Sequence, residues 1–293
     1  MKANVTCLSC LLNQKEKSLR AFTDEDRKMA CLREIMACFC QKGADHSAPY
    51  LHREAETIVA KYFPAPVDWP AVKSRYNQYM LTKEKLVEQR IRQSGDVLAA
   101  CIQYVCAANY IDFSAVANVD DAILDKLLDK AAAEMPDPQE LRCFREELET
   151  AKNLVYLTDN CGEIVLDKIF IKFLREMYPS LQLTVMVRGG LAVNDATMED
   201  ALQVGLPDIA PCLGSGSNIP ATVPGELSPE AEKLLREADV IISKGQGNFE
   251  SLYGEGLNPY FMFLCKCELF VRRFGLQQFA SVFAREDRIK MIF

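Results

Sequence analysis

The sequence predicts an α/β chain whose first half is all helical, on three observations. Of 14 glycines only Gly43 and Gly95 precede residue 150, so the tight turns that glycine serves are concentrated in the second half. The first half repeats apolar residues at three- and four-residue spacing, the period of a helix. The second half alternates short β-branched, apolar runs with amphipathic stretches, the pattern of parallel strands joined by helical crossovers. With 293 residues, 49% of them hydrophobic, the chain holds material for one large or two medium-sized cores. The change of character divides it into residues 1–150 and 151–293.

In the first half, helices are expected over residues 24–40, 48–62, 69–91, 96–110, 120–133 and 138–153. Asp24, Asp120 and Asp137 stand where an N-cap side chain accepts free N–H groups, and Pro64, Pro66 and Pro70 break the pattern between two helices. The most apolar stretch, residues 97–111, is interrupted by Gln103 and Asn109 and is shorter than the ~18 residues of a membrane span. It reads as a buried helix. In the second half, strands are expected at 153–158 (NLVYLT), 181–187 (LQLTVMV), 239–243 (DVIIS) and 260–265 (YFMFLC), with helices at 163–178, 197–204, 229–237 and 267–274. Residues 205–225, rich in Gly, Pro and Ser, read as a loop.

Lys and Arg number 34 against 41 Asp and Glu, a net charge of −7. No run of basic residues offers a footprint for a phosphate backbone or an anionic membrane, so neither nucleic acid nor membrane is an expected partner. The start, MKANVTCLSCLLNQ, lacks the apolar core and cleavage site of a secretory signal; a cytoplasmic protein with reduced thiols is expected. Cys7 and Cys10 form a CxxC that, with Cys31, Cys38 and Cys40, has thiols enough for a Zn²⁺ site if the helices converge; ordinary buried thiols are the alternative. His46 and His52 belong to no recognisable catalytic constellation.

Ligands of an open parallel sheet bind beyond the carboxyl ends of its strands, where following helices aim free N–H groups. The first strand is followed by Thr158-Asp159-Asn160-Cys161-Gly162-Glu163, the second by Arg188-Gly189-Gly190 and Asn194-Asp195, the third by Lys244-Gly245-Gln246-Gly247-Asn248. Asp159, Asn160 and Asp195 offer oxygen ligands suited to Mg²⁺ or Mn²⁺, or else the two Asp cap the helices that follow. Two carboxylates brought together there repel unless a cation lies between them, which favours the metal. Lys244 and Arg188, each beside glycines, are either anion clamps or surface residues of turns. Glu163 and Glu250 are either site groups or first-turn charges. Asn109, with Asp112, ends the apolar helix, where it bonds nearby backbone or reaches the site from the helical side. Gly214-Ser215-Gly216 leaves a methyl-transfer enzyme using S-adenosylmethionine as one alternative, and the CxxC a non-catalytic zinc or thiol-redox protein as another.

The segments TDNCGEIVLD (158–167), VRGGLAVNDAT (187–197) and SKGQGNFESL (243–252), supported by AANYID (107–112), the N-terminal CxxC and KCELF (266–270), resemble the DUF89 family of damage-control phosphatases, in particular its microbial branch. The resemblance implies a helical part packed on a three-layer α/β/α sandwich with a mostly parallel sheet. It implies a divalent-metal-dependent phosphatase, using Mn²⁺, Mg²⁺, Co²⁺ or Ni²⁺, for small phosphorylated metabolites. It places metal ligands on Asp159, Asn160 and Asp195 and a phosphate-contacting lysine on Lys244, with Gly162, Glu163, Arg188, Asn194 and Asn248 around them. Ala108 stands where the family pattern has glycine. The attacking group is then either a metal-bound water or Asp159 itself.

Overall fold

The computed structural model describes residues 1–65, 67–109 and 135–292. The helix expected at 120–133, its cap Asp120, and Asp112 lie outside the described residues. Three helices open the chain: α1 (Val5–Leu19), α2 (Glu25–Lys42) and α3 (Ala48–Tyr62). The sequence pattern did not predict α1 because it buries only Leu11, Lys15 and Leu19, an apolar stripe too thin to read. These helices share a core of their own, with Ile35, Phe39, Leu51, Ala55 and Ile58 packed against Ile219 and Ala221 of the later half.

Next come α4 (Trp69–Arg92), α5 (Val97–Ala108) and α6 (Pro138–Thr150). Asp68, Asp96 and Asp137 cap them, each accepting backbone N–H groups of the first turn. The second half then reads β1 (Asn153–Leu157), α7 (Glu163–Met177), β2 (Gln182–Val187), α8 (Met198–Gln203), β3 (Cys212–Gly214), α9 (Pro229–Arg236), β4 (Val240–Lys244), α10 (Gln246–Leu252), β5 (Tyr260–Leu264), α11 (Glu268–Phe274) and β6 (Ser281–Arg285).

The strands form one sheet in the order β3-β2-β1-β4-β5-β6, parallel except for β6, which runs antiparallel to β5. Successive strand residues point to opposite faces, and here both faces are covered, so the strands are apolar throughout. Leu154, Tyr156, Ile242 and Met262 meet α4, α5 and α7 in one core; Val155, Leu157, Ile241, Phe261 and Phe263 meet α10 and α11 in another. The result is an α/β/α sandwich in which α4, α5 and α6 contribute a layer together with α7. Residues 205–225 are not simply a loop: they carry β3, three residues too short to show a pattern. Among the described residues no helix is long and apolar enough to cross a membrane.

Candidate active site

From β1 the sheet grows in both directions, to β2 on one side and β4 on the other. The segments leaving β1 and β4 therefore diverge and open a crevice at their carboxyl ends. The β1 and β2 loops are zipped together by backbone: Ala196 N–H donates to Asp159 C=O and Cys161 N–H to Asn194 C=O, both at 2.8 Å. This pairing sets Asn160 opposite Asp195. Neither aspartate caps a helix. Gly162, at φ 73°, occupies the N-cap of α7, and Thr197 that of α8, its N–H bonded to Asp200. With capping excluded, Asp159 and Asp195 are buried carboxylates with no role in ending a helix.

Asp159 Oδ2 accepts from Asn109 Nδ2 and Asn160 Nδ2, both at 2.8 Å. The same two amides donate to Glu163 Oε1, at 2.8 and 3.2 Å, so they hold two carboxylates side by side. Asn109 Oδ1 in turn accepts the N–H of Leu264 at the end of β5, so this asparagine reaches the site from the helical side. Gly245, at φ 81°, lies against Asp159 so closely that a Cβ there would run into its carboxyl group.

Arg188 is not a surface residue. It is fully buried, donating from Nε to Asp195 Oδ2 at 2.6 Å, from Nη1 to Thr222 Oγ1 and from Nη2 to Asn248 Oδ1. Asn248 Nδ2 donates to the carbonyls of Thr158 and Lys244, so this side chain ties three strand ends. The expected loop at 244–248 is mostly helix α10, a short helix that opens on Gly245. Lys244 is the last residue of β4 and fully buried. Its ammonium faces Asp167 at 2.8 Å and Glu163 at 3.7 Å. Asn194 is partly buried beside the backbone zipper.

Burial sets the electrostatics of this cluster. It pushes the Glu163 carboxyl up to about 8 and Asp195 up to about 7, and raises Asp159, against the opposing pull of Lys244, Arg188 and Lys266. For Lys244 burial works against the charge, yet Asp167 and Glu163 hold its pKa above the usual range. Asp159, Glu163, Asp167 and Asp195 are four buried carboxylates against two buried cations, Arg188 and Lys244. Fully ionised, these groups would carry two more negative than positive charges, and Glu163 Oε2 and Asp167 Oδ2 have no hydrogen-bond partner. Buried oxygen donors whose carboxyls can give up protons to a bound charge fit a hard divalent cation. Among the described residues no three His, Cys, Asp or Glu side chains are gathered to hold a metal ion.

The CxxC has a third thiol near it: burial raises the thiols of Cys7 and Cys267, and Cys267 lies close enough to raise Cys7 further and is itself raised further by Cys10. All 12 cysteines are free thiols; Cys7 is half-buried and Cys10 exposed on α1. Cys161 is fully buried and its thiol is pushed up by burial, which suits a small residue filling the loop. The glycines of Gly214-Ser215-Gly216 serve the chain's own packing: a Cβ on Gly216 would meet Ser228, and one on Gly189 would meet Gly216.

Sequence reasoning missed the contribution of α4. Asn77, fully buried, accepts the Gly162 N–H at 2.7 Å and donates to Asp200 at 2.8 Å and Gln203 at 2.9 Å. One turn away, Lys73 pairs with Asp200 at 2.7 Å and reaches Thr197 Oγ1. Beside them a cavity of about 440 Å³, lined by Lys73, Ser74, Arg188, Gly190 and Thr197, opens between α4 and the β2 loop.

Comparison with known proteins follows the same lines. A family model described as the damage-control phosphatase ARMT1-like domain matches residues 3–282. A damage-control phosphatase of Archaeoglobus fulgidus is 29% identical, over 94% of this chain and 96% of its own. Another, of Pyrococcus horikoshii, is 24% identical over 97% of this chain and 98% of its own. The solved structure of a DUF89 family protein from Pyrococcus horikoshii has the same fold, with a TM-score of 0.82 at 23% identity, covering 98% of this chain and 99% of that one.

Proposed function

Because the chain belongs to the damage-control phosphatase family with an ARMT1-like domain, we propose that it is a divalent-metal-dependent phosphatase acting on phosphate monoesters of small metabolites. The observation that carries this reading is the buried, carboxylate-rich cluster at the carboxyl ends of β1 and β2, with two aspartates that cap no helix. Asp159, Asn160 and Asp195 would hold the cation. When bound, it supplies charge neutralisation for the oxygens of a transferring phosphoryl group.

The protein's own residues prepare that charge. Asn109 and Asn160 spend their amide N–H groups on Asp159 Oδ2, which leaves Asp159 Oδ1 and Asn160 Oδ1 as the atoms free to ligate. Arg188 fixes Asp195 through Oδ2. Lys244 is the buried counter-charge of Asp167 and Glu163. Lys266, partly exposed beyond β5, lies close enough to lower both Asp159 and Glu163 and is the better placed lysine for a phosphate. The cavity between α4 and the β2 loop has the volume of a small metabolite, in the range of ligand pockets of roughly 300–1,000 Å³.

The test is phosphate release from an aryl phosphate and a panel of sugar and cofactor phosphates, with Mn²⁺, Mg²⁺, Co²⁺ or Ni²⁺ and with chelator. Cation-dependent release should vanish in Asp195→Ala. Equal release from that variant, or none from folded wild type with any cation, overturns the assignment.

A further inference from the structure

The two loops proposed to hold the cation come from different strands, and each is two to three residues long between its ligand and the next helix. Their backbone zipper fixes one edge of the pair. The opposite edge is fixed by a side chain of the helical layer. Asn77 Oδ1 accepts from Gly162, two residues beyond Asn160, while Asn77 Nδ2 donates to Asp200 Oδ1. Asp200 Oδ2 accepts the N–H and Oγ1–H of Thr197, two residues beyond Asp195, and pairs with Lys73. All five groups are at most 4% exposed or are backbone of the loops themselves. One buried amide thus bridges the β1 and β2 loops, with its donor and acceptor ends each committed.

Resting on the phosphatase reading above, we infer that Asn77 is a positioning residue of the metal site: it sets the separation between the Asp159–Asn160 loop and the Asp195 loop. Groups that orient metal ligands without touching the ion typically carry a 10–100-fold effect on metal affinity. A residue that merely stabilised α4 would lower the melting temperature and leave the affinity of the folded protein unchanged.

The experiment is calorimetric titration of Mn²⁺ into wild type, Asn77→Ala, Asn77→Asp and Met80→Ala, at a temperature where each is folded by near-UV circular dichroism. Met80 is buried and apolar on the same helix one turn away from Asn77, so its truncation weakens α4 without removing a hydrogen bond to either loop. The expected result is a Kd raised about 10-fold or more in Asn77→Ala, with Met80→Ala binding as wild type. Should Asn77→Ala fail to fold, Asn77→Asp decides: it keeps the acceptor for Gly162, turns the donor toward Asp200 into an acceptor, and should also weaken binding. Wild-type affinity in folded Asn77→Ala or Asn77→Asp, or equal weakening by Met80→Ala, overturns the inference alone. Absence from wild type of a site for Mn²⁺, Mg²⁺, Co²⁺ and Ni²⁺ alike overturns the metal reading as well.

Discussion

Asp195 and Glu163 each have a folded pKa above the value of a free carboxyl, about 7 and about 8, because burial disfavours their charged forms. Near neutral pH they hold protons that a cation has to displace, so uptake should release protons and affinity should rise as pH climbs from 6 to 8. Titration in buffers of different ionisation enthalpy measures the number released. For the metal-free protein, the same shifts mean that stability is fullest below the unfolded carboxyl pKa values near 4 and is lost as pH rises through 7 and 8. At this scale the sequence was legible where a residue follows a strand: Asp159, Asn160 and Asp195 could be picked out because the strand ends point to one place. Asn77 and Lys73 could not be. A polar residue every fourth position on a long amphipathic helix reads as solvent face until the partner, here Asp200 on another element, is known. Lys244 shows the converse: its glycine neighbours suggested a turn, while Asp167, one turn into α7, decides where its ammonium points.

Among the elements, α5 shows how one capping residue can serve two helices. Asp96 accepts the Ala99 N–H at 3.1 Å and takes two bonds from Arg145 Nη2 of α6, at 3.0 and 2.8 Å. Replacing Asp96 by Ala should cost about 1 kcal/mol for the cap and up to about 1 kcal/mol for the partly exposed ion pair. Asp96→Asn, which keeps the cap, should recover the first part; urea unfolding distinguishes them. The periodic elements, α3, α4 and the four long strands, were legible because each buries a continuous stripe or run. The three-residue β3 is too short for a period to show, and α10 was hidden by Gly245 and Gly247, which read as a turn. Strand β6 escaped because only Val282 and Phe283 of its five residues are buried.

For the whole molecule, the carboxylate cluster lies between elements drawn from every part of the chain: Asn109 from the helical layer, Asp159 and Asp195 from the ends of sheet strands, Lys266 from beyond β5. A cation binding only the folded form should therefore stabilise the entire fold, by about 2.7 kcal/mol at a concentration 100 times its Kd. Thermal melts of wild type with and without Mn²⁺ should show that gain, and Asp195→Ala should not. The sheet order also has a consequence for how the chain is made. The central strand β1 pairs on one side with β2, which follows closely, but on the other with β4, where Leu154 lies beside Val240, about 85 residues later. At roughly 5–20 residues per second of synthesis, that edge of β1 waits for roughly 4–17 s before its partner leaves the ribosome. During that interval the central strand, with four buried apolar residues, is half-paired, so the nascent chain, rather than the finished protein, is the species most exposed to aggregation and most in need of a chaperone.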